Sequence, residues 1–262
     1  MSFAALFVAA LIVFTTAAFV LGNILTGYGQ AQDDYDSLRE YAPAAVSTPE
    51  PPAPTPEPTP EPTPEPEPEP TPEPTPEPEP EPPPRELTEQ AKQLMEINPD
   101  YIGWIEIDGT VIDYPIVQGI NNSQYLHTDF NGEEQFAGSI FMDWKCDDVF
   151  DSSFAVLYGH NMRDGSMFTA LHKYRNKSFQ AANPDITITT PFGDTLVYRI
   201  FAVRELNVYN KLFSLFGEEQ EEIAEYFAGH GAPDDAQHFL VLSTCTNGGS
   251  DDDRLLIFAA LY

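Results

Sequence analysis

The first pattern along the chain is an apolar run at its N-terminus. Residues Phe3 to Leu25 are nearly all apolar and uncharged, and the first charged side chain is Asp33. This length matches the roughly 20 residues that a helix needs to cross a bilayer. The run exceeds the apolar core of a cleaved signal peptide, and no basic segment precedes it. We therefore predict a retained transmembrane signal anchor over residues 1–27.

A second pattern follows, in which proline falls at about every second position from Pro49 to Pro84, with Glu and Thr between. This tract holds twenty of the chain's 26 prolines. Proline donates no ladder hydrogen bond and biases the preceding residue to an extended backbone. Because almost no apolar side chain is available for burial, we predict a disordered, polyproline-II-rich stalk over residues 28–84. The alternative is a tolerated low-complexity tract whose length has little meaning.

From residue 85 onward, short apolar runs alternate with turn residues, which predicts a folded domain over residues 85–262. Helical spacing predicts a first helix over Leu87–Ile97 and an amphipathic helix over Phe216–Phe227. Strands are predicted over Tyr101–Ile107, Val111–Val117, Gly138–Met142, Phe154–Tyr158, Ile186–Thr190, Thr195–Arg204, Phe239–Ser243 and Leu255–Leu261. Eight short strands in a domain of this size favour a closed or nearly closed β-barrel.

Three residues at the ends of predicted strands have the chemistry for thiol acyl transfer. Cys245 closes an apolar run, Arg254 follows nine positions later, and His160 ends another apolar run far upstream. A nearby imidazolium or guanidinium favours the thiolate that attacks an amide. Taken singly, the cysteine could be an inert small hydrophobe, the arginine a partner of Asp251–Asp253, and the histidine a loop cap.

The chain has two cysteines, Cys146 and Cys245. In an extracytoplasmic domain, a disulfide between them is the simplest expectation. Cys146 lies in a polar loop, however, and a disulfide would consume the candidate nucleophile. We therefore predict that the two cysteines are not joined.

No metal or cofactor is expected. The histidines other than His160 have no spacing typical of a zinc site, and His172 is predicted to lie on the surface of a short helix over Met167–Tyr174. The acidic loop Asp147–Asp151 lacks the glycine and terminal glutamate of an EF-hand, so we predict that it faces solvent.

The formal net charge of -30 bears on possible partners. Ten glutamates lie in the proline-rich tract, and the part from Arg85 onward has 28 acidic and 11 basic residues. Such a domain would repel the phosphates of a nucleic acid, so nucleic-acid binding is excluded. The acidity otherwise supports solubility and says little about function.

Several separated motifs resemble the class B sortases, which are cysteine transpeptidases of Gram-positive cell surfaces. The sortase signature is a Thr-Leu-x-Thr-Cys strand end with a later arginine and an earlier histidine, and Val241–Cys245 matches it except at Val241. Tyr158–Phe168, Gly138–Asp143 and Tyr101–Ile105 resemble class B sequences. The resemblance covers residues 87–262.

The resemblance implies a fold and a reaction. The fold is an eight-stranded sortase-like β-barrel with an N-terminal helix and a helix in the loop before the penultimate strand. Cys245 would attack a backbone carbonyl of a sorting peptide and form a thioacyl-enzyme, and Arg254 would donate to the developing oxyanion. His160 would protonate the leaving amine and later accept a proton from the incoming amine.

The resemblance also implies a binding groove and partners. Class B sortases contact the sorting signal through an Asn and a Leu four residues apart, which Asn122 and Leu126 match, while Ser243 and Thr244 are expected to face or brace the same groove. Substrates would be surface proteins with a C-terminal Asn-Pro-x-Thr-x type motif. The acceptor would be a peptidoglycan precursor or a pilin lysine, at the outer face of a Gram-positive cell membrane. Two alternatives are a cell-wall cysteine peptidase and a non-catalytic wall-binding module.

Overall fold

The computed structural model describes residues 3–43, 85–146, 150, 152–248 and 250–261. The tract from residue 44 to residue 84, which holds most of the predicted stalk, lies outside the described residues. Most of the acidic loop at 147–151 lies outside them as well, so its predicted exposure stays a prediction.

Eight β-strands close into a barrel, as predicted. They are β1 (Tyr101–Glu106), β2 (Asp113–Val117), β3 (Ile140–Met142), β4 (Phe154–Tyr158), β5 (Asp185–Thr189), β6 (Thr195–Asn207), β7 (Phe239–Cys245) and β8 (Asp253–Leu261). The order around the barrel is β1-β2-β3-β4-β7-β8-β6-β5, and β5 closes it by pairing with β1. The β2–β3 and β4–β7 pairs are parallel, whereas the other pairs are antiparallel.

The strands β7 and β8 read as continuous apolar runs because both of their faces are buried. Leu240 and Leu242 belong to the main core, together with residues of the first four strands. Phe239 and Val241, on the opposite face, belong to a second core. Successive side chains of a strand alternate between its faces, so this central pair of strands is covered on both sides.

Within the part of the chain that the structure describes, four α-helices and three 3-10 helices accompany the barrel. The α-helices are α1 (Phe3–Leu38), α2 (Glu89–Ile97), α3 (Lys177–Ala182) and α4 (Gln220–Ala228), and the 3-10 helices are Arg39–Tyr41, Phe168–Arg175 and Lys211–Ser214. The helix α2 is the predicted N-terminal helix, and Thr88 caps it by accepting a hydrogen bond from the Ala91 amide at 3.1 Å. The helix α4 precedes β7, as predicted, and its Ile223 and Phe227 pack into the second core.

Part of α1 is suited to a lipid environment. Between Leu11 and Leu21, its large apolar side chains are half exposed or more. Within the described residues, the segment Leu11–Tyr41 is the one that is long and apolar enough to cross a membrane, and its most apolar 18-residue window has a mean hydropathy of 1.7. This agrees with the transmembrane helix that the sequence predicts.

The other end of α1 packs on the barrel, which differs from the prediction of a disordered stalk from residue 28 onward. Ala31, Tyr35 and Leu38 are buried at helical spacing on one face. The Tyr35 hydroxyl donates to the Gly138 carbonyl at 2.6 Å, and Arg39 pairs with Asp113 at 3.1 Å. These contacts are non-local, so the sequence pattern alone did not reveal them.

The residues on both sides of the proline-rich tract pack against the same core. Tyr41 and Ala42 precede the tract and Leu87 follows it, and all three are partly buried against the main core. The spacer role predicted for residues 28–84 is therefore not carried by residues 28–43.

Candidate active site

Cys245 and Arg254 face each other across two paired strands. Cys245 is the last residue of β7, and its antiparallel partner on β8 is Arg254. Directly opposed residues of an antiparallel pair project their side chains to the same face. The nine-residue spacing is therefore a hairpin that returns the guanidinium to the side of the thiol. Both strands extend further than predicted, and it is this extension that brings the two residues into the ladder.

His160 reaches the same edge of the barrel by a different route. It follows β4 by two positions, and β4 runs parallel to β7 with Tyr158 opposite Ser243. The Gly159 amide donates to the Ser243 carbonyl at 3.2 Å. Because the carboxyl ends of parallel neighbours lie at one edge of a sheet, His160 and Cys245 emerge beside each other.

A cleft of about 380 Å³ lies at this edge of the barrel. All seven residues that the sequence analysis singled out line it: Cys245, His160, Arg254, Asn122, Leu126, Ser243 and Thr244. Phe141, Val208 and Phe213 add apolar surface to the lining. Cys245 is exposed and Cys146 is buried, and no disulfide joins them. The cleft thus presents a thiol beside a cation, an imidazole and an apolar wall.

The two hydroxyls next to the thiol are buried without a hydrogen-bond partner among the described residues. They are Ser243 Oγ and Thr244 Oγ1. Buried polar atoms are nearly always paired, so two unpaired ones in succession call for an explanation. Ser243 and Thr244 are 1% and 2% exposed, so these hydroxyls lie behind the surface of the cleft and brace the end of β7.

The environment of His160 favours a neutral imidazole. Burial lowers the pKa of His160, the nearby His127 lowers it further, and the hydrogen bond to the Leu126 carbonyl opposes the shift. The ring stacks on those of His127 and Phe136, with centroids 5.5 Å and 5.8 Å away. His160 Nε2 lies 2.7 Å from the Leu126 oxygen, which can only accept, so Nε2 carries the hydrogen and Nδ1 is the basic nitrogen.

Arg254 is held by backbone carbonyls. Its Nη1 donates to the carbonyl oxygens of Asp251 at 2.6 Å and Asp253 at 3.0 Å. The carboxylate of Asp253 instead accepts from the Ser250 amide and from Asn207. The alternative that Arg254 simply pairs with the carboxylates of Asp251–Asp253 therefore does not describe these contacts, which go to backbone oxygens.

A buried carboxylate that the sequence analysis did not single out organises the floor of the cleft. Asp143 Oδ2 accepts from Asn122 Nδ2 and from the Tyr158 hydroxyl, both at 2.8 Å. Burial and the Asp143 charge raise the pKa of Tyr158, so the phenol stays protonated and donates. Asn122 Oδ1 accepts from the Trp144 amide at 3.0 Å, which fixes the orientation of the side-chain amide. Asp143 ends one of the quoted motifs, but only the fold shows what it holds.

His172 is not the plain surface residue that the sequence predicted. It lies on the 3-10 helix Phe168–Arg175, is half-buried, and places Nε2 3.1 Å from the carbonyl oxygen of Cys245. Asn161 Nδ2 donates to the same oxygen at 3.2 Å. No sequence signal could have found these contacts, since they depend on where the helix packs.

Within the described ranges, no group of His, Cys, Asp and Glu gathers as metal ligands would.

Comparison with known proteins agrees with the architecture. A family model described as the sortase domain matches residues 105–262. Sortase B of Listeria monocytogenes is 41% identical over 120 residues, which are 46% of this chain and 48% of that protein. Sortase B of Staphylococcus aureus is 33% identical over 132 residues, which are 50% of this chain and 54% of that protein. The chain thus spans about half the length of the curated relatives it matches.

Solved structures are similar over more of the chain. Clostridium perfringens sortase B has a TM-score of 0.59 and 33% identity, covering 65% of this chain and 98% of that one. A Staphylococcus aureus sortase B–substrate complex has a TM-score of 0.60 and 26% identity, covering 67% of this chain and 86% of that one. By its matched domain and its closed barrel, this chain belongs to the sortase family and resembles the sortase B members of that family.

Proposed function

We propose that the chain is a membrane-anchored cysteine transpeptidase of class B. It would cleave a sorting motif of Asn-Pro-x-Thr-x type through a thioacyl-enzyme and transfer the acyl group to an amine. The observation that carries the proposal is that Cys245, His160 and Arg254 arise from three neighbouring strand ends and line one cleft. A nucleophile, a base and an oxyanion donor in one site are the requirements of acyl transfer.

The proposed reaction follows from the resting protonation states. Because His160 is neutral, it takes the proton of the Cys245 thiol at Nδ1 while sulfur attacks the peptide carbonyl. Arg254 is always protonated and donates to the oxyanion that develops. His160 then passes its proton to the leaving amine, and a thioester remains on sulfur. An incoming amine attacks the thioester and gives a proton to His160, which returns that proton to the departing sulfur, so the amide leaves and the Cys245 thiol and neutral His160 are restored.

The cleft supports a peptide as the substrate. Leu126 and Phe213 offer apolar contact to a side chain such as proline, and Asn122 is already held in one orientation by Asp143. Ser243 and Thr244 are nearly fully buried, so they would brace the strand end behind the thiol. These groups suit a short extended peptide that ends its path at the thiol.

The proposed partners are surface proteins with a C-terminal sorting signal, together with an amine acceptor. The acceptor would be a peptidoglycan precursor or a pilin lysine. The exposed apolar side chains of α1 suit a single-pass anchor. The barrel would act at the outer face of a Gram-positive cell membrane.

The function is tested with the full-length chain in detergent micelles. It is incubated with Asn-Pro-x-Thr-x and Leu-Pro-x-Thr-Gly peptides, with and without an amine such as triglycine, and the products are identified by mass spectrometry. We expect cleavage after threonine of an Asn-Pro-x-Thr-x peptide and an amide product that requires the amine. Hydrolysis that the amine leaves unchanged would favour a peptidase, and no turnover of any peptide would contradict the proposal.

A further inference from the structure

A polar cluster that the proposed reaction does not use surrounds the backbone carbonyl of Cys245. His172 Nε2 is 3.1 Å from that oxygen, and Asn161 Nδ2 donates to it at 3.2 Å. The two donors come from different elements, the 3-10 helix Phe168–Arg175 and the loop after β4. The nucleophile's own carbonyl is therefore held from two sides.

The partners of His172 determine which of its nitrogens carries the hydrogen. Arg175 Nη1 lies 2.6 Å from His172 Nδ1. A guanidinium can only donate, so Nδ1 accepts and Nε2 bears the hydrogen that is donated to the Cys245 carbonyl. The donor Arg175 therefore fixes the tautomer of the neutral His172 ring, with Nδ1 as the acceptor and Nε2 as the donor.

An ion pair with Glu205 holds Arg175 in turn. Glu205 of β6 accepts from Arg175 Nε at 2.8 Å, and its Oε1 lies 2.7 Å from Arg175 Nη2. The result is a continuous chain of hydrogen bonds from Glu205 through Arg175 and His172 to the Cys245 carbonyl. Burial and the Arg175 charge lower the pKa of His172, while the Cys245 carbonyl and Glu205 oppose this shift. The neutral ring that the chain of bonds requires is therefore the favoured form near neutral pH.

The position of Cys245 in its strand makes this support important. Cys245 is exposed and ends β7, where its pair with Arg254 is the last of the ladder. The ends of a sheet ladder open more readily than its centre. Since the peptide group is planar, a fixed carbonyl also fixes the direction in which the chain leaves Cys245. The thiol is then held in place by more than its strand pairing.

We propose that His172 is a positioning residue for the nucleophile. Through Nε2 it fixes the Cys245 carbonyl, and Arg175 and Glu205 keep its ring in the orientation and tautomer that this requires. The inference rests on the proposed function for its catalytic consequence, but the hydrogen-bond chain itself can be tested without any substrate.

The catalytic consequence is tested by comparing His172→Ala with His172→Gln in the full-length chain. A glutamine amide can place a donor near the position of Nε2, whereas alanine cannot. We expect His172→Ala to lower kcat for peptide cleavage about 10- to 100-fold with little change in KM, because small misplacements of reacting groups are costly. His172→Gln should recover most of kcat. A folded His172→Ala variant with wild-type kcat, or a folded His172→Gln variant no better than His172→Ala, would overturn the proposal.

The hydrogen-bond chain is tested by nuclear magnetic resonance on the full-length chain labelled with ¹⁵N-histidine. His172→Gln identifies the signal by removing it. We expect a neutral His172 ring with hydrogen on Nε2 at pH 7, and a change in that signal in Arg175→Gln. A charged ring, or hydrogen on Nδ1, would overturn the positioning role whether or not the chain cleaves a peptide. The expected tautomer in a chain that cleaves no peptide would support the hydrogen-bond chain and count against the proposed function alone.

Discussion

Arg254 and His160 differ in the charge that each brings to Cys245. A guanidinium is protonated at every relevant pH, whereas burial and the neighbouring His127 lower the pKa of His160. The sequence suggested that either residue could supply the positive charge that favours a thiolate. In the proposed reaction, Arg254 supplies the permanent charge and His160 carries the proton. The identity of the two residues does not reveal which role each has, because the pKa of His160 depends on its burial and on His127, which is distant in sequence.

The first prediction concerns the pH dependence of activity. Protonated His160 cannot accept the thiol proton, so kcat/KM should fall as the pH drops through its pKa, which lies below the ordinary value of 6.5. Replacing His127 by Ala removes a neighbour that disfavours the imidazolium. The pKa of His160 should then rise, and the acidic limb of the profile should move to higher pH.

The measurement is kcat/KM for peptide cleavage between pH 5 and 8 for both proteins. Phe136→Ala is the control, since it removes the other stacked ring without removing a charge. An acidic limb that lies well above 6.5 in the unchanged protein would contradict the assignment of His160. So would a His127→Ala limb that moves to lower pH.

At the scale of elements, the existence of each strand could be predicted and its pairing could not. The eight strands are apolar runs bounded by turn residues, so periodicity finds them. The pattern predicts the end of β7 two residues too early and the start of β8 two residues too late, because the pairs at this edge involve the polar residues Thr244, Cys245 and Arg254. The parallel pairing of β4 with β7 is non-local, and it alone brings His160 to Cys245. The expectation that His160 and Cys245 share one site came from the resemblance to the sortases and not from the hydrophobic pattern.

The second prediction concerns the turn from β4 to His160. A Cβ on Gly159 would lie 2.6 Å from Ile140 Cδ1 and 2.7 Å from Phe168 Cγ, closer than packed atoms tolerate. Gly159→Ala should therefore lower the free energy of unfolding by about 1–3 kcal/mol, as overpacking does. It should also reduce kcat, because His160 is the next residue.

Urea unfolding and peptide cleavage measure these two effects. Gly229→Ala is a matched control, because its φ is -60° and an added Cβ would be 3.3 Å from the Tyr226 oxygen. If Gly159→Ala were as stable and active as Gly229→Ala, the close approach at Gly159 would not exist in solution.

At the scale of the whole molecule, α1 joins its apolar N-terminal run directly to the barrel. The apolar run ends near residue 25 and the docked face of the helix begins at Ala31, so about 9 Å of helix separates the two at 1.5 Å per residue. The length and lack of charge of the apolar run predict an anchor, and a helix long and apolar enough to cross a membrane agrees with that prediction. The sequence pattern did not predict the docking, because Gly27, Gly29 and four acidic residues from Asp33 onward make the segment look like a linker.

The third prediction concerns this docking. Leu38 is 3% exposed, so Leu38→Ala should lower the free energy of unfolding of the barrel by about 2 kcal/mol, at the lower end for buried leucines. Leu21→Ala is the matched control, since Leu21 lies on the same helix and is 56% exposed. Thermal unfolding in detergent, followed by tryptophan fluorescence, compares the two. Equal melting temperatures for both variants and the unchanged protein would show that α1 does not stabilise the barrel.

The most direct test of the account is to look for the thioacyl-enzyme itself. The full-length chain is mixed with an Asn-Pro-x-Thr-x peptide without an amine acceptor, stopped in acid, digested and mapped by mass spectrometry. Cys146→Ala serves as the control for the other thiol. We predict an acyl group on Cys245 in the unchanged protein and in Cys146→Ala, and none in Cys245→Ala. An acyl group on another residue, or peptide cleavage that persists in Cys245→Ala, would contradict the account.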